Sequence, residues 1–415
     1  MTEYDAIIVG ARCGGAPTAM LLARAGHKVL LVDRMAFGSD IMSTHFIKRT
    51  GASRLNDWGL LDAIRDIGTP AIEHLSFNID DITLKGNAPA YKGIDADFTP
   101  RRKYLDKILV DAAIEAGVEV REKFRVDELI FDEDRVVGIK GTGKNGTQVS
   151  ERAKVIVGAD GTNSFVGNSV KAECHVDAGI HTCGFYAYHS GMREADNAAI
   201  LNVLTDKRRF YINFPTNDDL DMVFLFWPTG EAKSVRKDVE AAYYESLKNV
   251  PELEARVRGG QRESRIMGTH MLPNFFRRAH GPGWALVGDA ALHRCPITAQ
   301  GITNAFTHAE ILAEELCLAF GGDKNIDVAL ADYDRRQFEQ LKPMFDYTVH
   351  LAMLQPTPDL VQKMLPLISQ DVAATSAFMG AFLGSVPLNQ VFPPELMERF
   401  ASDVERGQRA VKARA

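Results

Sequence analysis

The sequence predicts an α/β protein: a βαβ lobe, a second β-sheet lobe interleaved with it, and a helical C-terminal region. Three observations predict this. A short apolar run, Tyr4 to Val9, enters a glycine-rich turn, a helical pattern and a second apolar run that ends on Asp33. Two later apolar runs end in similar turns, Gly158-Ala159-Asp160-Gly161 and Gly288-Asp289-Ala290. Between them, residues 176 to 272 alternate in the manner of strands, and residues after 326 carry helical apolar spacing. The expected division is a nucleotide lobe of residues 1–72, 98–175 and 273–330, a substrate lobe of residues 73–97 and 176–272, and a helical region of residues 331–415.

At 415 residues the chain exceeds one ordinary core. Its formal charge of -7 argues against nucleic-acid or anionic-membrane partners. No window approaches the roughly 20 apolar residues of a membrane helix, and acids at positions 3 and 5 argue against a secretory signal, so a cytoplasmic protein with no integral membrane segment is expected. Cys13, Cys174, Cys183, Cys295 and Cys317 are widely spaced and read as reduced thiols. The cluster Cys174, His175, His181 and Cys183 fits no standard ligand spacing, and no metal is expected.

In the first βαβ unit, Gly10 lets the chain leave its strand sharply. Gly15 lets the following helix lie close to the sheet, which aims the helix N-terminus at a pyrophosphate. Cys13 and Gly14 belong to the same phosphate-facing turn. Asp33 falls about 20 residues on, where a carboxylate accepts ribose hydroxyls, with Arg34 beside it. Arg12 stands where the fingerprint has its middle glycine, so its side chain must point away or take over part of the phosphate binding.

The polar loop from Gly38 to Phe46 lies on the nucleotide side of the sheet, where ligands of open α/β folds collect. It is expected to open a helix near Ser43 or Thr44, and it makes Thr44 and His45 candidates for contact with a cofactor ring or substrate; the alternative leaves His45 a neighbour of a capped helix. Residues 50 to 66 read as a helix and residues 72 to 98 as strands leaving the lobe. A helix after Phe98 sets Arg102, Leu105 and Leu109 on nearly one face, where the arginine could anchor a phosphate or ring oxygen. Val118 to Ser150 read as short strands with an Asn145-Gly146 hairpin turn. The aromatic strands around Phe185, Tyr211 and Phe224 offer one face to a pocket and the other to a core. The strand at Trp284 then runs into a Pro- and Gly-containing loop that opens a helix at Asn304.

Three loops of this kind in this order resemble the para-hydroxybenzoate hydroxylase class of FAD-dependent oxidoreductases, the group A flavoprotein monooxygenases, a superfamily that also holds geranylgeranyl reductases and flavin halogenases. The resemblance covers about residues 1 to 330. It implies a Rossmann-like FAD-binding domain of glutathione-reductase type, with the Gly10 turn and Asp33 as the ADP site, Asp160 in the family's Asp-Gly motif, and Gly288 and Asp289 holding the ribityl chain. It further implies that Pro296, Gln300, Gly301 and Ile302 lie beside the isoalloxazine, where helix N–H groups favour negative charge on the reduced ring. Arg102 matches an FAD-contacting arginine, and Val126 a backbone contact to adenine. The chain departs from the pattern at Arg12, at Gly167 where the Asp-Gly motif usually ends in arginine, and at Ala299 and Thr303.

The activity this resemblance implies is FAD-dependent monooxygenation: NAD(P)H reduces the flavin, and a flavin C4a-hydroperoxide passes one oxygen of O2 to an aromatic or olefinic small molecule. The alternative is a C=C reductase of the geranylgeranyl reductase type, whose aromatic strand ending in proline Phe224 to Pro228 resembles. Flavin halogenation is a further alternative, but the paired-tryptophan signature is absent, Trp58, Trp227 and Trp284 being scattered; a non-catalytic prenyl-binding module is another. His45, His189 and Tyr211 are the candidates for tuning a substrate hydroxyl. A small hydrophobic or aromatic substrate and O2 are the expected partners, and a homodimer is left open.

Overall fold

The computed structural model describes residues 3–192 and 197–413. Its organising layer is a parallel sheet. Strand Tyr4–Val9 pairs with Val29–Asp33 on one side and Gln148–Gly158 on the other; Glu119–Glu122 and Trp284–Leu286 extend the two flanks, all parallel. A parallel sheet is covered on both faces, which is why its strands read as near-continuous apolar runs; Ile7, Ile8, Leu30, Leu31, Ile156 and Val157 are completely buried. Helix Gly15–Arg24 packs against helices Arg102–Glu115 and Gly301–Phe320. Gly10 adopts φ +104°, and a Cβ on Gly15 would overlap the Gly10 carbonyl, so no side chain fits between helix and turn.

Parallel pairing sends three strand ends to one edge. There Ala159 N donates to Val9 O at 2.7 Å and Val287 N to Gly158 O at 2.9 Å, so the turns after Val9, Gly158 and Leu286 leave side by side.

The local expectations need three revisions. Gln148 opens a single strand that runs to Gly158, pairing antiparallel with Arg135–Thr142 across the Asn145-Gly146 turn before it enters the parallel sheet. The helix expected over 50–66 is two, Arg49–Asp57 and Leu61–Asp66, parted at Gly59, whose φ is +73°. No helix opens at Ser43 or Thr44; Ser43 Oγ instead accepts from His45 N at 3.0 Å and folds the loop on itself.

The second sheet runs Thr182–Ser190, Leu220–Pro228, Arg209–Thr216, Ala199–Leu204, His74–Ile79, Ile82–Asn87, antiparallel except between Ala199–Leu204 and His74–Ile79. Strand alternation divides its side chains strictly. Tyr186, Tyr188, Phe210, Phe224 and Phe226 share one apolar cluster with the C-terminal helices. Phe185, Tyr211, Val223, Leu225 and Trp227 share another with helices Val239–Leu247 and Pro251–Gly259. Helices Ile326–Ala352, Asp359–Ser369, Val372–Leu383 and Pro394–Lys412 make up most of the chain's end. They roof the first face: Phe382 meets Phe77 at 4.9 Å between ring centroids, and Phe378 meets it at 5.6 Å.

A fully buried ion pair joins the parts. Arg49 Nη2 lies 3.1 Å from Asp97 Oδ2, Arg49 N donates to Asp97 Oδ1 at 2.6 Å, and Nη1 donates to the carbonyls of Ala88 and Pro89 at 2.6 and 3.1 Å. Burial pushes the Asp97 carboxyl up and the Arg49 charge pulls it down. Removing one member leaves the other charge stranded. Asp97→Ala is therefore expected to cost about 3–5 kcal/mol in urea unfolding, and the double variant Arg49→Met/Asp97→Ala less than Asp97→Ala alone.

Candidate functional site

A cleft of about 760 Å³ separates the carboxyl edge of the parallel sheet from the aromatic face of the second sheet. That is the size of a cofactor pocket. One part of its wall is polar and charged, formed by Gly10, Arg12, Cys13, Gly14, Asp33, Arg34, Arg102, Val126, Asp160, Gly288 and Asp289. Another part is formed by Met42, Ser43, Thr44, Gly184, Tyr186, Phe224, Leu272, Cys295, Pro296, Gly301 and Ile302.

The glycine turn is fastened from below by Asp33. Its Oδ2 accepts from Ala11 N at 2.9 Å and its Oδ1 from Met35 N at 2.8 Å, which fixes the carboxylate and leaves lone pairs for further donors. Asp106, which the sequence reading did not single out, collects the groups around the turn. Arg102 is bidentate to it at 2.8 and 3.1 Å, the Cys13 thiol donates to it at 3.6 Å, and Arg12 Nε stands 3.8 Å away. Burial pushes the Cys13 thiol up to about 12 against the opposing charge of Arg102, so it stays protonated. The Arg12 side chain, a third exposed, lies along the cleft wall instead of filling the turn. Two guanidiniums therefore flank an uncapped helix N-terminus at Gly14, the arrangement a pyrophosphate requires. The spacing of Arg102 and Asp106, four residues apart on one helix face, was the available signal.

The other two loops differ in character. Asp160 turns back on its own chain: Oδ1 accepts from Ser164 Oγ at 2.5 Å and Oδ2 from Val166 N at 3.1 Å, which braces the short helix Phe165–Ser169, itself capped by Ser164 Oγ accepting from Gly167 N at 2.8 Å. In the third loop the 20-residue helix Gly301–Phe320 begins without a side-chain cap, with Gly301 and Ile302 on the cleft wall. Its open N–H groups and positive pole await an acceptor. The buried Arg294, on the same loop, has two guanidinium nitrogens without hydrogen-bond partners among the described residues. An uncapped helix pole and orphaned donors fit a ring edged with hydrogen-bond acceptors, such as the isoalloxazine of FAD.

Five sequence candidates do not line the cleft. His189 and Tyr211 sit on the opposite face of the second sheet: His189 Nε2 lies 3.3 Å from the Tyr243 hydroxyl, and the Tyr211 hydroxyl donates to Ser246 O at 2.9 Å. Strand parity decides this, because Tyr186 and Tyr188 take the cleft face and the next residue must turn away. Both are corrected to core residues. His45 is completely buried, its ring stacked on Tyr188 at 5.6 Å, and burial drives it down to about 3, so it is neutral and offers no charged acid. Gly15 is consumed by helix–turn packing, and the Gln300 side chain points inward to donate to Phe382 O at 3.4 Å. The groups that do face the aromatic end include Tyr186, raised by burial, and Cys295, pushed up to about 12 by burial, so both stay protonated.

Comparison with known proteins agrees with this geometry. Residues 3–340 match the family model described as FAD binding domain. A digeranylgeranylglycerophospholipid reductase of Methanopyrus kandleri is 25% identical over 379 residues, 86% of this chain and 92% of the relative. Its counterpart in Methanocella arvoryzae is 27% identical over 356 residues, 83% and 85% of the two chains. Among solved structures the flavin-dependent brominase Bmp2 superposes with a TM-score of 0.80 at 18% identity, over 98% of this chain and 100% of that one. PqsL of P. aeruginosa in complex with 2-aminobenzoylacetate superposes at 0.73 with 22% identity, over 85% and 96%. The two structures share the fold.

Two predictions follow from the site. Arg102, the more buried guanidinium, should matter more than Arg12: Arg102→Ala is expected to weaken FAD binding by about 10–100-fold and Arg12→Ala by less, read by titrating the FAD-free protein with FAD and following flavin fluorescence. His45 and His308, both held near 3 against an ordinary 6.5, make the folded state refuse protons that the unfolded chain takes. Their contribution is complete above about pH 6.5 and is lost as the pH falls toward 3, by up to about 1.4 kcal/mol per pH unit for each histidine. The urea midpoint should drop between pH 7 and pH 5, and His45→Phe should make that drop shallower.

Proposed function

The chain belongs to the FAD-binding-domain family and is an FAD-dependent oxidoreductase, and from that premise we propose that it is a monooxygenase that places one atom of O2 on an aromatic or olefinic small molecule, with NAD(P)H as the electron donor. One observation supports the substrate class: the second sheet turns Gly184, Tyr186 and Phe224 toward the cleft, none of them charged and two of them aromatic. Such a wall binds an apolar substrate by contact area and keeps water from the reacting centre.

FAD bound in the cleft would supply the electron transfer and oxygen activation. Asp33 would hold the ribose, Arg12 and Arg102 the pyrophosphate, and Asp289 the ribityl chain, with the Gly301–Ile302 N–H groups at the ring. Tyr186 and Cys295, both protonated, would orient a substrate hydroxyl or return a proton to the product. Thr182 Oγ1 lies 3.0 Å from Cys295 Sγ and holds the thiol in place. His45 would act through Tyr188 as packing.

A second reading, reduction of a carbon–carbon double bond, is favoured by the reductases among the relatives and by the aromatic strand from Phe224 to Pro228. It uses the same wall and the same two proton donors. The readings part on oxygen. With the FAD-loaded protein, NAD(P)H and a panel of phenols, indoles and isoprenoids, we expect NAD(P)H oxidation to require O2 and the product mass spectrum under 18O2 to show one labelled atom. Turnover without O2 to a product two hydrogens heavier would overturn the first reading in favour of the second.

A further inference from the structure

Arg294 is 6% exposed and lines the cleft beside Cys295 and Pro296. Only its Nη2 is engaged, donating to Asn304 Oδ1 at 2.8 Å; Nε and Nη1 are buried and have no hydrogen-bond partner among the described residues. No carboxylate pairs with it there, and Asp289 acts on it only through space. Burial drives the guanidinium down to about 9. A second buried cation, Lys48, lies within its field; burial first, and Arg294 in part, press the ammonium down to about 7. A guanidinium withdrawn from water with most of its donors unused is in a costly state unless an anion arrives. Its position says which anion. Asn304 belongs to the opening turn of helix Gly301–Phe320, so the guanidinium charge adds to the uncapped positive pole of that helix.

We propose that Arg294 is a cofactor-tuning residue that pairs with the negative charge of the reduced FAD ring and raises the reduction potential of the bound cofactor. The inference rests on the FAD reading of the cleft. A hydride from NAD(P)H delivers two electrons and one proton to the ring, which is left with one negative charge; the guanidinium stays protonated and compensates that charge, and no bond to the protein forms or breaks. The oxidised ring carries no such charge, so the pairing favours the reduced state alone. The same asymmetry predicts a signature that a purely structural arginine would not give. Replacing it with an apolar side chain of similar length removes an uncompensated buried charge, so the FAD-free protein should hold its stability while the cofactor becomes harder to reduce.

The test compares the natural chain, Arg294→Met and Arg294→Lys, each reconstituted with FAD and quantified by flavin absorbance. Three readouts apply: the midpoint potential by dye-coupled reduction, the Kd for sulfite, which adds to the oxidised ring and leaves the same negative charge on it, and the Tm without FAD. Arg294→Met is expected to lower the potential, to weaken sulfite binding about tenfold or more, equivalent to about 30 mV for a two-electron couple, and to leave the FAD-free Tm unchanged or higher. Arg294→Lys should recover part of the loss. An unchanged potential and sulfite Kd in an Arg294→Met protein that holds FAD stoichiometrically would overturn the inference. Failure of the natural chain to take up FAD would instead overturn the reading beneath it. If Arg294→Met alone does not hold FAD, the same two readouts on Arg294→Gln, which keeps an amide donor for Asn304, decide the question in the same way.

Discussion

Everything functional in this molecule depends on parallel pairing at four adjacent strands. Parallel strands point the same way, so Val9, Val32, Gly158 and Leu286 finish at one edge, and loops separated by more than a hundred residues of sequence become neighbours. The close hydrogen bonds from Ala159 to Val9 and from Val287 to Gly158 are the direct expression of that constraint. An antiparallel partner in the place of Gln148–Gly158 would carry the Asp160 turn to the far edge and leave no common cleft. The single long strand Gln148–Gly158 shows how strictly this is kept: it serves an antiparallel meander with its first half and the parallel core with its second.

Much of this arrangement was legible in the sequence because it rests on local signals with fixed periods. Apolar runs ending in Gly-Asp or Gly-x-x-x-Gly turns are read along the chain, and so is the acid at the end of the second strand. Phase was harder. Naming an aromatic-rich strand does not say which alternate residues face the pocket, and the single-residue step between Tyr188 and His189 placed one against His45 and the other against Tyr243. Helix breaks were also partly hidden. Gly59 interrupts a continuous apolar pattern, which the flanking residues alone would have carried through.

Least legible were contacts made by charge at long range. Arg49 and Asp97 are 48 residues apart, and nothing near either indicates that both are fully buried. Charged residues are ordinarily taken for surface, and only the folded arrangement shows that Arg49 directs its two Nη groups to Asp97 and to the carbonyls of Ala88 and Pro89. Arg294 is the contrasting case, buried with no carboxylate in hydrogen-bond reach among the described residues. Lys48 stands between the two: it feels the Asp97 charge, donates to Phe382 O and lies over the Phe382 ring, so the fold itself holds its ammonium. Arg49 thus serves the packing, whereas Arg294 lines the cleft with donors unused.

The C-terminal helices take part in the site through the loop they clasp. Ala299 adopts φ +50°, a left-handed conformation that costs a residue with a Cβ about 1 kcal/mol or more. That geometry turns the chain from Pro296 into the uncapped helix at Gly301. It is held from two sides by the chain's end: Thr298 Oγ1 lies 2.8 Å from Thr348 Oγ1 of the long helix Ile326–Ala352, and the Gln300 amide donates to Phe382 O at the end of helix Val372–Leu383. Lys48 donates to the same carbonyl at 3.4 Å. A strained turn persists only where its surroundings over-determine it, and here the determining contacts come from helices that bear no motif of their own. The region whose sequence carries least chemical information therefore fixes the loop on which the polarity of the cleft depends.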